Sequence, residues 1–94
     1  VAVMDEVQTP VVAYPPSLKA AKVDGQVVAE FVVDTLGQVE PEHFGIVSSS
    51  NALFSDSVRE AIRGALFKPA VRQGRLVRQL VRQPFAFVIP ERER

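Results

Sequence analysis

The stretch Arg75–Pro90, "RLVRQLVRQPFAFVIP", decides how this chain folds. It reads as the last strand of a sheet, yet it carries Arg75, Arg78, Arg82 and, in its middle, Pro84. A proline has no N–H for a ladder and is confined to edge strands or bulges. Charged side chains along an edge discourage unwanted pairing. Both features suit one position, an open edge. The stretch then divides in two. Leu76–Gln83 is the guarded, partner-facing half, Phe85–Ile89 anchors the strand to the core, and Pro84 is expected to end or bulge the pairing with a bound partner, so that binding stops near it.

Working upstream, "SSSNALFSDSVREAIRGALFKP" reads as the main helix. Val58, Ala61, Ile62, Ala65 and Leu66 recur at i, i+3, i+4, i+7 and i+8, one apolar stripe. Ser55 is the expected N-cap, with Asp56 in the first turn, and Lys68-Pro69 the expected end. Gly64 falls inside that helix, where close packing on the sheet would account for it. Before it, "GQVVAEFVVDTLGQVEPEHFGIVSSS" reads as a hairpin. Val27, Ala29, Phe31 and Val33 share one face at period two. Gln26, Glu30 and Asp34 share the other with Val28 and Val32. Asp34–Gly37 is the turn, with Gly37 supplying a positive φ. Pro41 and Gly45 weaken the second strand, about Gln38–Val47, and suggest an edge or a bulge. Before that, "YPPSLKAAKVDG" is a short helix with Pro15-Pro16 at its start and Gly25 beyond its end.

The order is helix, strand, strand, helix, strand. A right-handed crossover through the long helix places the first strand in the centre. The expected fold is α+β in two layers, a three-stranded antiparallel/mixed sheet of order 2-1-3 with two helices on one face. Residues 1–94 form a single domain, and 1–13 are an extended N-terminal segment.

Composition bounds the function. Ninety-four residues, 47% hydrophobic and 23% charged, make one domain with one modest core. Cysteine is absent, which excludes disulfides and thiolate metal sites. No apolar run approaches the ~18–20 residues of a membrane span. The chain starts at Val1, consistent with a mature or excised domain whose anchor lies outside it. The net charge is zero but unevenly spread. From Lys68 to Arg82 there are five bases and no acid. That run is either a solvated face or a basic edge that meets an acidic or polar partner.

Catalytic patterns are missing. His43 is the one histidine. "EPEHFG" could be drawn as a metal site from Glu40, Glu42 and His43, but one histidine among surface acids reads as a solvated loop. The serines at 48–50, 55 and 57 have no partner base in a nucleophile motif. No phosphate-cradling glycine loop or zinc-protease motif occurs. "RQPFAFV" imitates the aromatic strand of an RNA-recognition fold, but Pro84 replaces its glycine and too little chain follows. The expectation is no enzyme, no metal, no cofactor and no nucleic acid.

Three segments, "YPPSLKAAKVDGQVVAEFVVDTLGQV", "FSDSVREAIRGALFKPAVRQG" and "VRQPFAFVI", resemble in order and spacing the C-terminal domain of the TonB family of envelope energy transducers. Tyr14, Pro15, Gly25, Phe31, Gly37, Phe67, Pro69, Gly74 and Phe87 are the landmarks. Where typical members carry Gln-Pro shortly before Tyr-Pro, this chain has Val11, Val12 and Ala13. The resemblance implies a periplasmic domain anchored to the inner membrane by a segment outside this chain. An ExbB–ExbD motor would drive it through that region. The domain would grip the TonB box, a short N-terminal peptide of outer-membrane TonB-dependent receptors, as an added strand. The residues expected to receive it are Leu76, Val77, Arg78, Gln79, Leu80, Val81, Arg82 and Gln83, with Arg78 and Arg82 attracting its acidic groups. A homodimerising scaffold that pairs the same edge with a second copy is the alternative, with Val28 and Val32 helping to bury the interface.

Overall fold

Val27, Ala29, Phe31 and Val33 are fully buried while the residues between them are not, so the two-residue period builds β1 (Gly25–Val33) as expected. A computed structural model describes residues 11–93 of the chain. Most of the expected N-terminal extended segment lies outside those residues. β1 is followed by β2 (Val39–Ser49), α2 (Ala52–Arg63), the short strands β3 (Ala70–Arg72) and β4 (Arg75–Val77), and β5 (Gln79–Phe87); α1 (Pro16–Ala20) precedes it. The main sheet has the order β2-β1-β5, with both neighbours antiparallel to β1. This is the expected 2-1-3 topology of an α+β fold.

The core lies between this sheet and α2, which contributes Phe54, Val58 and Ile62. Leu18 of α1 packs against the rim of the same core. Phe54 and Phe87 stack with centroids 4.3 Å apart, and Tyr14 meets both edge-on at 5.6 and 5.5 Å. The Tyr14 hydroxyl donates to the Val23 carbonyl. Gly25 opens β1 directly against this cluster. A Cβ there would sit 2.1 Å from the Phe54 ring. The helix stop expected of Gly25 is made instead by Lys22, at φ 58°.

The Asp34–Gly37 turn forms as expected. The Asp34 carboxylate accepts from the N–H groups of Leu36 and Gln38, and Gly37 takes φ 84°. β2 is an edge strand with two register irregularities, one of them over the stretch that holds Pro41 as expected, whereas Gly45 stays in register with Glu30.

Three boundaries differ from expectation. The N-cap of α2 is Asn51, whose side chain accepts from the Leu53 N–H at 2.9 Å. Ser55 is buried and bonds the Ser49 hydroxyl at 2.6 Å instead. The helix ends at Gly64, its C-cap, rather than at Lys68-Pro69, and no atom crowds that glycine. The chain leaves the helix there because the Phe67 N–H is drawn to the Gly37 carbonyl at 2.8 Å. Leu66, at the end of the predicted stripe, is therefore exposed. Finally, Arg75–Ile89 is not one strand. Arg75–Val77 pairs with Ala70–Arg72 in a separate hairpin, closed by Gln73 and Gly74 at φ 52° and 77°. Positive φ at both positions is the mark of a tight two-residue hairpin turn.

Candidate functional site: the open edge of the sheet

Among the described residues β5 has one neighbour, β1, and its other side faces no strand of the sheet. The direction of its main-chain groups follows from β1. Gln26 donates its N–H to the Ser50 hydroxyl and accepts the Ser50 N–H, both at 3.1 Å, so its polar groups point toward β2. Alternation carries Val28, Glu30 and Val32 to the same side. Their partners on β5 are Pro84, Arg82 and Leu80, and Gln26 itself is paired with Ala86. These four β5 residues therefore turn their main-chain groups to the open edge. Gln79, Val81, Gln83, Phe85 and Phe87 turn theirs toward β1.

This geometry explains Pro84 as the edge position expected of it. The ladder runs without a register shift through Val27↔Phe85, Val28↔Pro84 and Ala29↔Gln83. Pro84 neither ends nor bulges the pairing with β1, because its missing N–H falls on the open side. The edge presents three N–H donors, from Leu80, Arg82 and Ala86, and four carbonyl acceptors, from these and Pro84.

The predicted site residues are not all in one place. Gln79 to Gln83 lie in β5, with Gln79 and Val81 buried on the helix side. Leu76 and Val77 lie in β4, and Arg78 is the joint between β4 and β5. Ala86 belongs to the edge although it was not among the predicted residues. The period-two pattern beyond Pro84 carries that signal.

The arginines expected to attract acidic groups already hold acids of this chain. Arg78 donates from Nε and from its second terminal nitrogen to the two oxygens of Glu40, each at 2.7 Å. These hydrogen bonds hold the Glu40 carboxyl below its ordinary range and raise the Arg78 guanidinium. Arg82 sits directly opposite Glu30 across the ladder and donates to it at 3.0 and 2.8 Å. Glu30 and Glu40 carried no such role in the sequence, because only the register brings them to these arginines. Glu40, Glu42 and His43 do cluster, with ligand atoms within 4.8 Å of one another. Both Glu40 oxygens are engaged by Arg78, which makes that carboxylate an ion-pair partner.

Two grooves flank the edge. One, of about 350 Å³, is walled by β3 and the Val77–Leu80 turn into β5. The other, of about 360 Å³, lies between Val12, Tyr14 and Pro84–Val88. The first carries arginine at its wall, and the second is lined by uncharged residues.

The landmark residues take structural places spread through the fold. Tyr14 and Phe87 belong to the aromatic cluster behind it. Pro15 is buried, and its carbonyl accepts from Leu18 and Lys19. Phe31 contacts Phe67, with centroids at 5.5 Å. Gly37 lies under the Phe67 carbonyl, where a Cβ would come within 2.1 Å. Pro69 leads into β3, and Gly74 closes the β3–β4 turn.

Comparison with known proteins gives this arrangement its family. Among solved structures, the solution structure of the Pseudomonas aeruginosa TonB C-terminal domain is similar, with TM-score 0.75 and 22% identity over 96% of this chain and 95% of that one. No match was found among curated proteins. The family model for the Gram-negative bacterial TonB protein C-terminal domain matches residues 10–89. The match over most of the chain settles the family: the chain belongs to the TonB C-terminal family of periplasmic, non-enzymatic domains.

Proposed function

We propose that this domain is the receptor-binding end of a TonB-like energy transducer. It takes the TonB box of an outer-membrane transporter as a fourth strand beside β5. An inner-membrane anchor and an ExbB–ExbD motor, reached through a region outside this chain, would pull on it. The observation that carries this reading is the open main-chain edge of Leu80, Arg82, Pro84 and Ala86, bordered by a groove at each end.

Magnitudes set the expected strength. Seven main-chain bonds at about 1 kcal/mol net each are offset by an association cost of at least about 4 kcal/mol. The main chain alone then supports only millimolar binding. Such a grip is weak, reversible and nearly blind to sequence, so selectivity has to come from side chains in the flanking grooves.

Titration of the ¹⁵N-labelled chain with a receptor N-terminal heptapeptide tests this. The amides of Leu80, Arg82 and Ala86 should shift more than those of Val81, Gln83 and Phe85, which are committed to β1. No shift at Leu80, Arg82 or Ala86 at millimolar peptide rules the site out for that receptor.

A further inference from the structure

The basic run from Lys68 to Arg82 is not uniformly available. Arg78 and Arg82 are each neutralised by a glutamate within 3.0 Å. Arg59 and Arg63 on α2 likewise have acidic neighbours. Arg72 and Arg75 have no acid within 4.0 Å among the described residues, and both are exposed. They are also direct cross-strand partners on either side of the Gln73–Gly74 turn. Two like charges placed opposite each other destabilise a hairpin. The next pair inward, Val71 and Leu76, is apolar and left 62% and 55% exposed. Nothing in the packing of the domain calls for this arrangement. A hairpin of three-residue strands that repels itself at the tip and exposes the apolar pair next to it is poorly built for support and well built for contact.

Its position says what it contacts. Arg72 and Val71 line the groove that Val77, Arg78, Gln79 and Leu80 share, so the hairpin's wall is continuous with the start of the β5 edge. A strand added along Leu80–Ala86 and continued past Gln79 runs into this groove. The groove at the other end is lined by no charged residue. The edge is therefore electrostatically polar along its length. An acidic side chain is favoured at one end only.

We propose that the Gln73–Gly74 hairpin reads a carboxylate on the peptide added to β5, through Arg72 and Arg75, and so fixes the peptide's register and direction. This rests on the strand-addition reading above. A peptide lying parallel to β5 would carry its acid at the N-terminal end. An antiparallel one would carry it at the C-terminal end.

The test uses the 94-residue chain and blocked heptapeptides of alternating Thr and Val, carrying one Asp at the first position, one at the last, or Asn at both. One of the two Asp peptides should bind about two- to fivefold tighter than the Asn peptide, the range of an exposed ion pair. That gain should vanish in Arg72→Gln/Arg75→Gln and in high salt. The Leu80, Arg82 and Ala86 amide shifts should remain in the double variant, which relieves a repulsion and keeps the fold. Equal affinity for all three peptides overturns the inference, as does a gain that survives the double variant. Amide shifts in Arg72 and Arg75 with phosphatidylglycerol vesicles, and none with the Asp peptides, would reassign the hairpin to a membrane surface. If no peptide moves the β5 amides, the strand-addition reading falls and this inference with it. Loss of the acid preference alone leaves strand addition standing.

Discussion

The molecule contains two hairpins closed by tight turns, and they are built to opposite specifications. In β1–β2 the turn is held by the Asp34 carboxylate, Gly37 lies under Phe67, and the inner face of β1 is fully buried. In β3–β4 the turn glycine has open space around it, the apolar pair faces water, and the charged pair is of one sign. The same turn chemistry therefore serves two ends. One hairpin spends its residues on the core. The other keeps them exposed, at the start of the β5 edge.

The sharpest way to break this contrast is to truncate equivalent apolar residues. Phe31→Ala should cost about 3–5 kcal/mol in chemical denaturation, a large share of a small domain's stability, whereas Leu76→Ala should stay within about 0.5 kcal/mol. Comparable losses at both positions would mean that the outer hairpin is part of the core. The glycines give the next test. Gly37→Ala combines a left-handed backbone with a collision on the Phe67 carbonyl and should cost about 2–4 kcal/mol. Gly74→Ala meets only the backbone strain, about 1–2 kcal/mol, read from thermal melts. The smallest effect concerns Glu40, whose folded carboxyl lies below its ordinary value of 4.5. A lowered acid stabilises the fold above its unfolded pKa and loses that contribution as pH falls through the folded one. The gap in melting temperature between wild type and Glu40→Gln should thus be open at pH 6 and close toward pH 3. A gap independent of pH would remove the Arg78 ion pair from the account.

Much of this was legible in the residues themselves. The alternation of Val27, Ala29, Phe31 and Val33, the Asp34–Gly37 turn, and Pro84 with its neighbouring arginines were enough for the sheet order and its open edge. Local competition hid the rest. Asn51 and Ser55 are both good caps, and burial of Ser55 against Ser49 decides between them. Gln73-Gly74 between two short apolar runs is a hairpin signal, obscured because Arg75–Ile89 also reads as one continuous strand. The true partners of Arg78 and Arg82 required a register, since Glu40 and Glu30 lie 38 and 52 residues away in sequence.

The central position of β1 also bears on how the domain forms. Its two flanking strands arrive at very different times. β2 follows at once across a tight turn, but Val33 waits for Gln79 and Gly25 for Phe87, at the far end of the chain. Such long loop closures slow folding toward the millisecond-to-second range. Until β5 docks, β1, not β5, is the exposed margin of the sheet. The strand that ends up most protected is thus the one left open longest during folding, and closing it falls to β5.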